Sequence, residues 1–142
     1  NEVLVGNLRF AADMLAKSGI KLLIEPINTI DIPGFFLNKT AQALQLIADV
    51  RSSNLFVQYY IYHTQVMEGD IIKRLEKHKP VIGHVQIAAV PSRHEPDEGE
   101  IHFPAIFAAL EAIGYDGLVG LEYKPRGRTE DGLAWRKTPG VG

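Results

Sequence analysis

Short apolar runs alternate with longer amphipathic segments along the sequence. Runs of aliphatic and aromatic residues are typical of buried strands, whereas apolar residues spaced three or four positions apart are typical of helices that pack on one side. The pattern predicts helices over residues 3–17, 40–50, 70–78 and from 104 onwards, and strands over residues 22–25, 55–60, 81–88 and 117–123. This strict alternation predicts an α/β fold with four parallel strands, because parallel neighbours need a crossover connection between them.

Two of the predicted strands end in the same way, with a glutamate close to a proline. Glu25 ends the run that begins at Leu22 and is followed by Pro26, and Glu122 has the matching place before Pro125. Proline cannot donate to a strand ladder, so a strand is predicted to end there. Functional groups of parallel α/β proteins lie at the carboxyl ends of strands, which suggests a two-carboxylate site. A glutamate at a strand end is also commonly a solvated or capping carboxylate, so both interpretations stay open.

The other strand ends also carry polar candidates. They are the turn formed by residues 60–63, Gln86, Arg93 in the following loop, and Lys124. Two carboxylates with a divalent cation would suit removal of a proton next to a carbonyl group, since the metal polarises the carbonyl oxygen while the carboxylates move protons. An arginine in an adjacent loop could hold a substrate carboxylate through two hydrogen bonds. His63 taken alone is as consistent with packing as with ligand binding, and Tyr60 is consistent with ordinary strand propensity.

The composition narrows the class of protein. With 142 residues, 46% of them hydrophobic, the chain is long enough for one domain with a buried core. A formal net charge of −2 gives no electrostatic basis for a nucleic-acid or anionic-membrane partner, and no apolar run approaches the ~20 residues of a membrane span. The sequence contains no cysteine, which excludes disulfides and thiolate chemistry and leads us to expect a cytoplasmic protein.

Seven short motifs, taken together, are more specific than any single residue. They are Glu25-Pro26-Ile27-Asn28, Gln58-Tyr59-Tyr60-Ile61-Tyr62-His63, Met67-Glu68-Gly69, Gly83-His84-Val85-Gln86-Ile87-Ala88, Arg93-His94-Glu95-Pro96, Gly99-Glu100-Ile101 and Glu122-Tyr123-Lys124-Pro125. This set closely resembles the hydroxypyruvate isomerase family, which belongs to the xylose-isomerase-like TIM barrels. The resemblance covers residues 1–135 in order, and residues 136–142 are expected to form a frayed tail.

The resemblance implies a catalytic pair and a metal. Glu25 and Glu122 would act as acid and base and would also bind a divalent cation, Mg²⁺ or Mn²⁺, together with Gln86. The family pattern has aspartate, a metal ligand, where this chain has Tyr60, and usually has aspartate where this chain has Ala89. A phenol is a poor ligand for Mg²⁺ or Mn²⁺, so Tyr60 weakens the expected metal site.

The resemblance also implies a substrate and a reaction. His63 and Arg93 would contact a small sugar acid, with Lys124 nearby. The implied reaction interconverts hydroxypyruvate and tartronate semialdehyde by proton transfer through an enediol(ate) between the two glutamates. Isomerisation of a 2-oxo-tetronate, or a related ketose epimerisation, is an enzymatic alternative. An alternative of another class is a catalytically inactive barrel fragment that only binds a ligand or a partner chain.

The length sets a final expectation. A (β/α)₈ barrel typically needs about 250 residues. Because four strands cannot close a barrel, both edges of the sheet would be open and apolar. The chain is therefore predicted to be the C-terminal half of a barrel, with strands that resemble strands five to eight. It is expected to associate with itself through the open sheet edges or to pair with a missing N-terminal half.

Overall fold

The computed structural model describes residues 2–137, which form one parallel sheet with helices packed on it. The helices are α1 (Glu2–Ala16), α2 (Thr40–Val50), α3 (Ile61–Met67), α4 (Ile71–His78), α5 (Phe103–Ala112) and α6 (Thr129–Gly132). The strands are β1 (Leu22–Ile24), β2 (Leu55–Tyr60), β3 (Ile82–Ile87) and β4 (Val119–Leu121). Two 3₁₀ helices, Lys79–Val81 and Leu133–Lys137, complete the described elements. Residues 138–142 of the predicted frayed tail lie outside the described residues.

The sheet confirms the predicted fold class. Its four strands are parallel and follow the sequence order β1-β2-β3-β4, so each strand pairs with the next one along the chain. The main core lies between the sheet and the helices. It includes Ile24, Val57, Tyr59, Val85 and Ile87 from the strands, and Leu46, Val50, Leu75, Phe103, Ile106, Leu110 and Trp135 from the helical segments. Burial of each of these side chains stabilises the fold by roughly 1.5–3 kcal/mol before the entropy of ordering is subtracted.

Side chains along the strands alternate between the two faces of the sheet, of which one packs into the core and the other is polar. We call the polar face the inner face, and it carries the side chains of Glu25, Gln58, Tyr60, Gln86 and Glu122. Successive side chains of a strand point to opposite faces, so core residues on one face leave their neighbours on the other. In the pairing register Tyr60 is opposite Gln86, which in turn is opposite Gly120.

One predicted turn is in fact a helix. The segment after Tyr60 contains β-branched and aromatic residues, which favour extended structure, yet it forms α3. Ile61 and Tyr62 are buried, and the hydroxyl of Thr64 donates to the carbonyl oxygen of Tyr60 at 3.1 Å. Burial of this turn outweighs the weak helix propensity of its residues.

The two edge strands are shorter than predicted. Residues 22–25 and 117–123 were expected to be extended, but β1 and β4 each contain three residues. Each of these strands has one neighbour, so half of its backbone groups have no ladder partner in the sheet. The region of β4 also exposes apolar side chains, with Leu118 83% and Leu121 44% exposed. These side chains leave apolar surface exposed beside β4.

Within residues 2–137, no helix has both the length and the apolar character that crossing a membrane requires.

A partly buried carboxylate joins the start of α2 to the segment between α3 and α4. Oε1 of Glu68 accepts hydrogen bonds from the backbone N–H of Thr40 at 2.8 Å and from its hydroxyl at 2.7 Å. The other oxygen of Glu68 accepts from Arg74 at 2.8 Å. Because the first N–H groups of a helix have no partner within the helix, Glu68 fulfils the role of a cap from a distant part of the chain.

Replacement of Glu68 by alanine should therefore lower the free energy of unfolding by about 2 kcal/mol, since Thr40 would keep buried donors without an acceptor. Urea denaturation followed by circular dichroism measures this change. Glu76→Ala is the matched control, because Glu76 is exposed on α4 and its loss should change stability by less than about 0.5 kcal/mol. Equal effects of the two substitutions would contradict the capping role.

Candidate functional site

Four polar side chains form a hydrogen-bonded row across the inner face. Nε2 of Gln58 donates to Oε2 of Glu25 and to Oε1 of Gln86, each at 2.6 Å. Nε2 of Gln86 then donates to Oε2 of Glu122 at 2.7 Å. The row runs from β1 through β2 and β3 to β4, and the glutamates at its two ends directly follow the edge strands. The predicted pair of carboxylates therefore lies in one connected group.

Glu25 is adapted to exchange a proton near neutral pH. Burial, reinforced by the negative charge of Glu122, raises the pKa of Glu25 from 4.5 to about 7, although the hydrogen bond from Gln58 and the charge of Arg93 oppose the shift. A carboxyl group with a pKa near the working pH can both accept and donate a proton at a useful rate. Such a shift is typical of acid–base residues in active sites.

His63 is a neutral neighbour of Glu25. The backbone N–H and the side-chain amide of Asn28 both contact Nδ1 of His63, at 3.3 and 2.7 Å. Because the backbone group can only donate, Nδ1 accepts and the ring hydrogen lies on Nε2, which is 3.6 Å from Oε1 of Glu25. Burial, together with the positive charge of Arg93, lowers the pKa of His63 to about 4. At neutral pH the imidazole is therefore an uncharged hydrogen-bond donor that faces the row.

Arg93 brings a positive charge to the other end of the row. Its Nη2 atom is 3.0 Å from Oε1 of Glu122, and its guanidinium group lies 5.3 Å from the ring centre of Tyr60 and 5.1 Å from that of Tyr62. A second carboxylate, Asp31, is 3.7 Å from its Nη1 atom. The planar guanidinium is thus stacked on two aromatic rings with acidic groups at its rim, a geometry that favours Arg over Lys.

The loop that carries Arg93 is fixed to the end of β4. Arg93 has a positive φ of 57°, and its carbonyl oxygen accepts a hydrogen bond from the backbone of Lys124 at 2.7 Å. Lys124 therefore lies beside the site, but the bonds that hold it there are made by its backbone and its side chain is exposed. Ala89 is buried at the base of the same loop, where its carbonyl oxygen accepts from the N–H of Arg93.

A second connection between the same two loops is ionic. Glu95 is buried, and its carboxylate accepts from the backbone N–H of Arg126 and from the guanidinium Nε at 3.0 Å. Burial alone would raise the pKa of Glu95, but hydrogen bonds from its own backbone and from Arg126 outweigh burial and hold the pKa below its usual range. Asp97 and Glu98 also bind the Arg126 guanidinium. The loops after β3 and β4 are thus joined by hydrogen bonds and ion pairs.

The structure brings four residues into the site that the sequence analysis did not select. They are Gln58, Asn28, Asp31 and Tyr62. Gln58 could have been found, because it precedes Tyr60 by two positions on a strand and so shares its face. Asp31 could not, because it lies in a loop and reaches the site through hydrogen bonds from Asn28 at 3.1 Å and Tyr62 at 2.9 Å.

The family resemblance implies a divalent metal at this site, and the donor atoms there bear on whether one fits. Oxygens of Glu25, Gln86 and Glu122 are already acceptors of N–H donors in the row, and Arg93 adds a positive charge beside Glu122. The position expected to hold an aspartate carries the phenol of Tyr60. Within residues 2–137, no group of three His, Cys, Asp or Glu side chains has an arrangement that could hold a metal ion. These residues do not fit a divalent metal site.

Comparison with known proteins identifies a family and its named relatives. The model of the xylose isomerase-like TIM barrel family matches residues 1–138. The hydroxypyruvate isomerase of Escherichia coli is 54% identical over 132 residues, which are 93% of this chain and 51% of that protein. The 2-oxo-tetronate isomerase of Cupriavidus necator is 48% identical over 131 residues, which are 92% of this chain and 50% of that protein. The chain therefore spans about half the length of these relatives.

Solved structures agree with this fold. A crystal structure described as AP endonuclease, family 2, from Brucella melitensis superposes with a TM-score of 0.92 at 50% identity, over 95% of this chain and 52% of that one. The apo form of 3-keto-D-glucoside 4-epimerase from E. coli superposes with a TM-score of 0.83 at 27% identity, over 94% of this chain and 52% of that one.

The raised pKa of Glu25 predicts a pH-dependent effect of Glu25→Gln on stability. Because burial raises that pKa to about 7, the folded state binds the proton more tightly than the unfolded state does. The wild-type protein therefore loses stability as the pH rises from about 4.5 through 7, whereas the neutral glutamine does not. We expect the variant to melt higher than wild type by about 5 °C at pH 8, and the difference to vanish at pH 4.

Melting curves at a series of pH values measure this difference. Glu130→Gln is the control, since Glu130 is exposed and its substitution should give no such trend. A melting temperature of Glu25→Gln that stays at the wild-type value at pH 8 would contradict the buried, proton-binding state of Glu25.

Proposed function

The chain belongs to the xylose isomerase-like TIM barrel family, and on that basis we propose that it forms the catalytic half of a sugar-acid isomerase. The leading substrate is hydroxypyruvate, with tartronate semialdehyde as the product. The observation that carries the proposal is the row from Glu25 to Glu122, which presents two carboxyl groups on one face. A reaction that moves a proton between adjacent carbons needs two such groups.

The environments of the two glutamates support different starting states. Glu122 is paired with Arg93 as a carboxylate, whereas burial favours the protonated form of Glu25. In the proposed reaction Glu122 removes a proton from C3 of hydroxypyruvate, and the C2–C3 double bond of the enediol(ate) forms. Glu25 then delivers its proton to C2, and the proton of the C3 hydroxyl moves to the C2 oxygen, so that C3 becomes the aldehyde carbon. Proton exchange with water then returns Glu122 to the carboxylate and Glu25 to the acid. The pair exchanges roles in the reverse reaction.

Neighbouring donors support the charge that develops in this step. The substrate carboxylate would replace Glu122 as a partner of Arg93, which frees the Glu122 carboxylate to act as the base. His63 directs a neutral N–H towards the space beside Glu25, where it can donate to an oxygen of the enediol(ate). Lys124 remains a predicted substrate contact. No step of this scheme uses a metal, because the residues present do not fit one.

Isomerisation of a 2-oxo-tetronate is the second candidate, and it is favoured by the relative from Cupriavidus necator that bears this name. The proton-transfer chemistry is the same, and the substrates differ in length. Ratios of kcat/KM for the two substrates under identical conditions separate the candidates.

The chain also covers only half of its relatives, so the proposed enzyme obtains its remaining strands from the rest of the protein or from a second copy. A cytoplasmic location remains a prediction from the composition.

Glu122→Gln should lower kcat for hydroxypyruvate by about 100-fold or more, because glutamine cannot remove a proton. The change in KM should be smaller, since Gln keeps the size of the side chain. A coupled assay that follows the aldehyde product measures both constants in the complete protein. The exposed Glu130→Gln variant provides the control and should keep wild-type turnover. Wild-type turnover in Glu122→Gln would remove Glu122 from the mechanism.

A further inference from the structure

Tyr60 occupies the space between the two ends of the row. Its phenol donates a hydrogen bond to the backbone carbonyl oxygen of Glu122, and its oxygen accepts one from Nε of Arg93 at 3.3 Å. Its ring lies edge-on to the ring of His63, with 4.7 Å between the centroids. Tyr60 is also fully buried in a small apolar cluster with Tyr62, Ala88 and Val90. The phenol is therefore a fixed part of the site.

The oxygens around Tyr60 already have N–H donors. Gln58 donates hydrogen bonds to Glu25 and Gln86, while Gln86 and Arg93 donate to the two carboxylate oxygens of Glu122. A divalent cation would have to break several of these hydrogen bonds and would receive only two carboxylates in return. Mg²⁺ and Mn²⁺ bind carboxylate, carbonyl and water oxygens, and a protonated phenol is a poor substitute for the aspartate that the family pattern has at this position.

The charge balance points the same way. The Arg93 guanidinium lies 3.0 Å from Glu122 and 3.7 Å from Asp31, so it already neutralises part of the local negative charge. A second positive ion beside it would meet like-charge repulsion in a partly buried site, where the effective dielectric constant is low. The Tyr60 and Tyr62 rings hold the guanidinium in this position.

We propose that this site does not bind a divalent metal. Instead Arg93, whose guanidinium lies over the Tyr60 ring, supplies the positive charge that a metal would supply. A 2-oxo acid presents a carboxylate oxygen and a carbonyl oxygen side by side, and the fork of an arginine can donate to both. The role of Arg93 towards the substrate rests on the proposed function. The absence of metal binding does not, because it follows from the donors alone.

The test is a titration of the purified, chelator-treated protein with Mn²⁺ alone, followed by calorimetry and by the electron paramagnetic resonance signal of free Mn²⁺. Wild type and Tyr60→Phe should show no saturable one-to-one binding up to about 1 mM. Tyr60→Asp should bind one Mn²⁺ at least 10-fold more tightly than wild type, because it adds a carboxylate and removes the aromatic ring that Arg93 contacts. Circular dichroism and melting curves establish that each variant is folded.

One result would overturn the proposal outright: wild-type protein that binds one Mn²⁺ with a micromolar Kd, and loses that binding in Glu25→Gln. A folded Tyr60→Asp variant that gains no affinity would overturn the assignment of the effect to Tyr60. If this variant does not fold, the wild-type titration decides. Binding is measured without substrate, so an inactive protein would count against the proposed function while leaving the metal result intact.

Discussion

The site depends on one constraint, the parallel register that places amide side chains of β2 and β3 between two glutamates. Gln58 and Gln86 are on neighbouring strands, and each donates towards a carboxylate on its own side of the sheet. Amides suit this position because a single group can both donate and accept. A shift of register by one residue would turn Gln86 into the core and Val85 towards the row, so the apolar core itself enforces the polar arrangement.

The position of Arg93 is set by loops and not by the strands of the sheet. Arg93 cannot be placed by the sheet, because it lies several residues beyond β3 in a left-handed backbone conformation. Its position depends on the backbone bond from Lys124 and on the buried Glu95 carboxylate that binds Arg126. The Arg93 guanidinium is therefore held by contacts between two loops, and the Glu25 and Glu122 carboxylates are held by the sheet. A change in Glu95 or Arg126 would act on the site through the two loops that carry Arg93 and Lys124.

The sequence predicts the features of this molecule that follow a repeating pattern. It misses features that depend on burial or on single contacts between segments far apart in sequence. Alternation of strands and helices gives the parallel sheet, and the repeated Glu-to-Pro strand ending gives Glu25 and Glu122. Helix α3 was missed because its residues have strand propensity, and only burial against the sheet makes them helical. Asp31 was missed because its contacts with Tyr62 and Arg93 join segments far apart in sequence, and no local pattern encodes them.

The exposure of the two glutamates bears on how the site of the proposed enzyme would be enclosed. Glu25 follows β1 and Glu122 follows β4, which are the two edges of the described sheet. The Glu122 side chain is 47% exposed, whereas the Glu25 side chain, with His63 beside it, is 20% exposed. Proton transfer to carbon needs a site from which water is excluded, since water competes for every donor in the row. In the proposed enzyme, strands that pair with β1 and β4 would shield both carboxylates from water. The strands that close the barrel would therefore also enclose the substrate.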